Sequence, residues 1–187
     1  MIVGYAYTGS FCTISKSIEI MKKLVDKGIE ILPIMSENAY KTDTRFGDAV
    51  DVRNEIMKIC GREVISKIVD AEPLGPKIKL DALIISPCTG NTLSKIANGI
   101  TDTSVCMAAK AHLRNNRPLI VALATNDALS GNLSNIATLL SRKNIYFTPM
   151  IQDDPTNKPH SLVADFDMVE TTLLNALRGK QITKIFI

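Results

Sequence analysis

Four polar stretches, each directly behind an apolar run, hold the residue types that bind anions and position small substrates. In "YTGSFCTIS" (7–15), Gly9 permits a tight turn, Ser10 and Thr13 offer hydroxyls, and a helix start behind them offers free N–H groups. In "SENAYKTDTRFG" (36–47), Ser36 leads, Glu37 stands near the place where dinucleotide folds keep a ribose-binding acid, and Thr42–Gly47 form a polar cluster. In "SPCTGNTLSKIANGI" (86–100), Pro87 lacks the N–H that a strand ladder needs, and Thr89, Asn91 and Thr92 crowd the next helix start. Asn91 or Thr92 can cap that helix. One cap suffices, so the surplus points to a ligand. In "ATNDALSGN" (124–132), Thr125, Asn126 and Asp127 repeat the pattern. Each stretch alone also reads as an ordinary helix cap or loop. The four together point to a binding crevice.

Several chemistries are excluded. The glycines of a GxGxxG dinucleotide fingerprint are missing after the first run. Cysteines at 12, 60, 88 and 106 have no CxxC spacing, and there are only two histidines, His112 and His160, so no zinc set and no metal site is expected. A net charge of +3, with scattered basic residues and no Trp, does not suit a nucleic-acid surface. No apolar run approaches a membrane span, the start "MIVGYAYTGSF" lacks the charged n-region of a signal peptide, and unpaired cysteines suit a cytoplasmic protein.

The elements that must position these loops follow a βαβα rhythm. Apolar runs Ile2–Ala6, Ile29–Met35, Asp81–Ser86, Pro118–Ala124 and Ile145–Pro149 are short and mostly rich in β-branched residues, as in buried parallel strands. Ile14, Ile18, Met21 and Val25 share one helix face closed by Gly28. Residues 49–69 read as one broken helix or two short ones around Gly61. Further helices are expected at 91–98, 104–115, 131–143 and 165–178, the last ended by Gly179. The expected fold class is α/β, a Rossmann-like three-layer open parallel sheet with helices on both faces, in a single domain spanning 1–187. Loop 152–161 is either a lid or a solvated connection.

The segment "SPCTGNTLSKIANGITD" (86–102) resembles the Pro-Ala-Ser/Thr-Ala-Asn-Thr segment of the flavoprotein superfamily of phosphopantothenoylcysteine decarboxylases, lantibiotic cysteine decarboxylases and flavin prenyltransferases. The "TGS" turn is like their Gly-Ser turn. Stretches 42–47 (TDTRFG), 71–77 (AEPLGPK), 107–118, 143–155 and 179–181 are similar to one branch of it, the B subunits of a two-subunit synthase of spore formers. That likeness covers nearly the whole chain in order. It implies FMN as cofactor, with Gly9, Ser10 and Thr13 near the phosphate and Ser36 at the ribose or phosphate side. Thr89, Asn91 and Thr92 would lie near the phosphate or ring edge, and Thr125 and Asn126 near the ring or substrate. It also implies an oxidoreductase subunit with a dehydrogenase-like A partner carrying NAD(P), a small cyclic dicarboxylate substrate, and a homo-oligomer, trimer or dodecamer.

The departures matter as well. No His lies between 1 and 111, where cysteine decarboxylases keep a catalytic one, and "ATNDAL" replaces their Pro-x-Met-Asn, keeping only Asn126. "TPMIQDDP" stands where prenyltransferases have Arg-Glu-x-Pro. Cysteine decarboxylation is therefore not expected. Catalytic candidates are Cys88, whose pKa could fall near a helix N-terminus or which packs as a small apolar residue, and Asn126. Arg45, Lys77, Lys95 and Arg114 are cations available to a dicarboxylate, Lys95 and Arg114 equally exposed helix charges; His112, mid-helix, is expected at the surface or in packing rather than in catalysis. A free-standing flavin oxidoreductase or decarboxylase-like enzyme, and a non-catalytic partner with a vestigial pocket, stay open on these residues alone.

Overall fold

The computed structural model describes residues 1–187. Five parallel strands form the frame: β1 (Ile2–Tyr7), β2 (Glu30–Met35), β3 (Ala82–Cys88), β4 (Leu119–Thr125) and β5 (Ile145–Phe147), in the order β2-β1-β3-β4-β5. β6 (Met150–Ile151) and β7 (Leu162–Ala164) form an antiparallel ribbon, and β7 joins β4 beyond β5, at Ala124 and Thr125. The sheet is parallel in the middle and mixed at one edge. Strand alternation puts side chains on both faces: Val3, Tyr5 and Tyr7 enter one buried cluster and Ala6 the other. Both faces must therefore be covered by helices.

α1 (Phe11–Asp26), α3 (Ala49–Cys60) and α8 (Val169–Ala176) cover the first face through Ile18, Ile56 and Leu173. α5 (Gly90–Ala97), α6 (Ser104–Leu113) and α7 (Leu133–Leu140) cover the second through Leu93, Val105 and Ile136. The one-turn helices α2 (Glu37–Lys41) and α4 (Ile68–Ala71) complete the set. Segment 49–69 is resolved into α3, stopped at Gly61 with φ 65°, then an extended stretch in which Ile65 bonds Pro33 and Met35 of β2, and then α4. The last helix is shorter than expected, because Phe166–Met168 form a 3-10 turn. β3 does not end at Pro87: its register shifts between Ile85 and Cys88, and Cys88 pairs again with Leu123.

The chain runs outward from β1 to β2, then returns to place β3 on the other side of β1. Loops after β1 and β3 therefore diverge and leave a crevice at their carboxyl ends, where open α/β sheets bind ligands.

Candidate functional site at the strand-order switch

The crevice between the β1 and β3 loops has its walls stitched together at one buried threonine. Thr8 Oγ1 donates to the Pro87 carbonyl at 2.8 Å and accepts the Thr89 N–H at 2.9 Å, and the Thr8 N–H also reaches Pro87 O at 3.2 Å. Deeper, Ser17 of α1 donates to the Ser86 carbonyl at 2.6 Å, and the two hydroxyls lie 2.9 Å apart. The Tyr5 hydroxyl donates to the Ser17 carbonyl at 3.0 Å; burial pushes its pKa up to about 12, so it stays a neutral donor. Thr8, Ser17 and Ser86 are thus scaffolding, invisible in the sequence because their partners across the crevice lie 69 to 81 residues away.

Two cavities open here and share Gly9, Phe11 and Thr89. The first, of about 470 Å³, is lined by Ser36, Glu37, Asn38, Asn91, Thr92, Lys95, Asp102 and Thr103 besides the shared residues. Three helices point their N-termini at it. Ser36 caps α2 by accepting the Ala39 N–H, Thr89 caps α5 through the Thr92 N–H, and Thr103 caps α6 through the Cys106 N–H. The cap of α5 is therefore Thr89, not Asn91 or Thr92. Asn91 is exposed at the rim, and the Thr92 hydroxyl lies 3.2 Å from that of Thr89. Lys95 pairs with Asp102 at 2.9 Å.

The second cavity, of about 490 Å³, is lined by Ser10, Cys12, Thr13, Phe46, Thr125, Asn126, Asp153, Lys158 and Ser161. Ser10 begins α1 without a side-chain cap bond, and the Thr13 hydroxyl donates back to the Ser10 carbonyl at 2.9 Å. Asn126 is exposed at the turn after β4. Thr125 is held: its hydroxyl donates to Asp127 at 2.5 Å, and Asp127 also accepts from Asn132 at 2.9 Å. Gly90 makes this approach of the two loops possible, since a Cβ there would lie 2.5 Å from Asn132 Nδ2 and 2.6 Å from Thr125 Oγ1. Segment 152–161 joins β6 to β7 and bonds itself through Asp153, which accepts from Ser161 at 2.9 Å and Lys158 at 3.3 Å. It walls the second cavity and is more than a solvated connection.

Other candidates fall elsewhere. Cys88 is buried and lines neither cavity, and its Sγ lies 3.6 Å from the Thr89 carbonyl. Burial pushes its pKa well up, so of the two readings of Cys88 it is the packed, apolar one that holds, not the thiol activated by a helix N-terminus. Lys77 and Arg114 precede β3 and β4, at the opposite end of the sheet. Arg45 stacks over Phe46, 4.9 Å from the ring centroid, on the turn beside the second cavity. His112 is buried, donates from Nε2 to the Pro118 carbonyl at 2.9 Å, and has its pKa lowered by burial. Sequence reasoning missed Phe46, Asp102, Thr103 and Lys158 as cavity residues. The polarity of 152–161 was the one available signal for Lys158.

Fold and crevice define a flavoprotein-type α/β domain, and comparison agrees: the Flavoprotein family model matches residues 2–170, so the chain belongs to that family. Within it, the chain is 45% identical to the B subunit of dipicolinate synthase of Bacillus subtilis (strain 168) over 185 residues, 99% of this chain and 92% of that one. The crystal structure of the dipicolinate synthase B subunit from Bacillus halodurans C superposes with a TM-score of 0.92 at 44% identity, covering 100% and 95% of the two chains. A dodecameric FMN-dependent UbiX-like decarboxylase from Escherichia coli O157:H7 shares the fold, with a TM-score of 0.66 at 23% identity over 95% and 93% of the chains. No helix is long and apolar enough to cross a membrane.

The donor chemistry of the crevice fits FMN. Helix N-termini of α1, α5 and α6, hydroxyls of Ser10, Thr13, Ser36 and Thr92, and Lys95 are donors to phosphate and polyol. Phe46, Ala124 and Val163 supply apolar surface for a ring. Among His, Cys, Asp and Glu there is no cluster of three able to hold a metal ion.

Proposed function

We propose that this chain works as the B subunit of a dipicolinate synthase, beside a dehydrogenase-like A subunit that carries a nicotinamide cofactor. The observation that carries this reading is the 45% identity to such a subunit over 99% of the chain. The substrate is a cyclic C7 dicarboxylate, the dihydro- or hydroxytetrahydro-dipicolinate; aromatisation removes a hydride and a proton, and water where the hydroxy form is used. FMN, when bound, supplies a redox-active ring. The chain's own part is to bind and orient. Gly9, Ser10, Thr13, Ser36, Thr89, Asn91 and Thr92 hold the flavin side of the crevice, and Thr125 and Asn126 lie at the ring and substrate side. A carboxylate needs a cation or N–H donors, and Lys158 is the one lysine or arginine lining the second cavity. Asn126, exposed on that wall, is the remaining catalytic candidate. The dodecameric relative supports a homo-oligomer, and the proposed place of work is the cytoplasm.

The test is reconstitution. Purified chain and A subunit are assayed separately and together for dipicolinate by its ultraviolet absorbance. Product formed at full rate only by the mixture is expected. Full rate from the A subunit alone would remove this chain from the reaction.

A further inference from the structure

Gly179-Lys180-Gln181, behind the last helix, takes no part in the crevice itself. Gly179 turns the chain with a φ of 72°, and the Lys180 N–H closes the end of α8 on the Asn175 carbonyl at 3.0 Å. The turn delivers Gln181 to β5, which pairs only with β4 and leaves its other edge open. There the Gln181 side chain stands in for a strand residue. Its Oε1 accepts the Phe147 N–H at 2.7 Å, and its Nε2 donates to the Phe147 carbonyl at 2.7 Å. The tail then runs beside β6. The Met150 N–H donates to the Ile185 carbonyl at 2.6 Å, the Ile187 N–H donates to the Met150 carbonyl at 3.0 Å, and Ile185 packs on the core. Met150 thus lies between Phe186 of the tail and Ala164 of β7.

The wall of the second cavity hangs on this ribbon: Asp153, Lys158 and Ser161 lie between β6 and β7, and Val163 on β7. Two other anchors hold the β7 side, the pairing of β7 with β4 and the Leu129 N–H on the His160 carbonyl at 2.9 Å. On the β6 side the tail is the strand that backs the ribbon. We propose that Gln181 is a positioning residue for the second cavity. By clamping β5 it anchors the tail against β6, and so fixes the place at which Asp153 holds Lys158, 3.3 Å away. Its functional meaning rests on the reading that Lys158 meets a substrate carboxylate; the mechanical hold on the wall is independent of that reading.

Gln181→Leu removes both amide bonds at similar side-chain size. Amide hydrogen exchange reads the hold at Met150, Lys158 and Asp165, whose N–H groups bond Ile185, Asp154 and Pro149 and not Gln181. The expected result is about tenfold faster exchange at these three, with the β1 and β3 amides unchanged. Wild-type rates at the three overturn the proposal, and so does an equal rise in every strand, which is a general loss of stability. Both proteins are then titrated with dipicolinate by calorimetry. About tenfold weaker binding by the variant is expected, and equal binding overturns the positioning role. A wild-type chain that binds no dipicolinate contradicts the carboxylate reading, while the exchange rates still decide the hold on the wall. If Gln181→Leu fails to fold, Ile187→Pro removes one tail bond at an exposed terminal residue. About threefold faster exchange at Met150 and Lys158 is expected there, and unchanged rates refute the proposal.

Discussion

At the scale of single residues, the thiols separate by environment. Cys12 is exposed on the wall of the second cavity, while Cys88 and Cys106 are buried, and burial raises both of their pKa values. Cys60, half-buried, is pushed up to about 11 by the same desolvation. Burial both shields those three thiols from reagent and disfavours their thiolates, whereas Cys12 is open to solvent. Labelling with a disulfide reagent at pH 8 should therefore show one fast thiol per chain, lost in Cys12→Ser and unchanged in Cys88→Ala. Fast loss of a second thiol on mutation of Cys88 would contradict the buried assignment. The Cys88 position illustrates what a sequence hides. Its place near a strand-to-helix junction was legible, although β3 runs on through Cys88 instead of stopping before it. Its orientation into the core was not, because a register shift between Ile85 and Cys88 decides it.

Among elements, the site is made by loops that meet only because β1 and β3 are neighbours. The strands were legible from their apolar runs, and so were the four polar loops behind them. The antiparallel ribbon β6–β7 was not. Two- and three-residue strands carry too little periodicity to register, and their pairing with β4 is a tertiary fact. The same holds for the Thr8 stitch and for the approach of the β4 loop to Gly90. That approach has a direct test. Gly90→Ala puts a methyl 2.5 to 2.8 Å from Asn132, Thr125 and Asp127, so the β4 loop must shift. Overpacking of this kind costs ~1–3 kcal/mol, to be read from denaturant unfolding. The displaced Thr125 and Asn126 should also weaken ligand binding in the second cavity. An alanine variant as stable as wild type would show that the loop yields freely.

For the whole molecule, one buried group sets a pH dependence. His112 ties α6 to the start of β4, and its folded pKa lies below the unfolded value of ~6.5 because burial disfavours the cation. As pH falls below that value, the unfolded chain takes up the proton first, so stability present at neutral pH is lost on acidification. Urea midpoints should fall between pH 7 and pH 5.5, and His112→Gln should flatten that slope; an equal slope in the variant would assign it to other groups. Stability, however, only supports the crevice; the account turns on what the crevice holds. The strand order, the converging helix N-termini and the family all support a flavin across the β1–β3 switch. The most direct check is a crystal of the protein soaked with FMN. The account predicts difference density for one flavin per chain spanning the two cavities across Gly9 and Thr89. A saturating soak that leaves this crevice without density, or puts the flavin elsewhere, would contradict it.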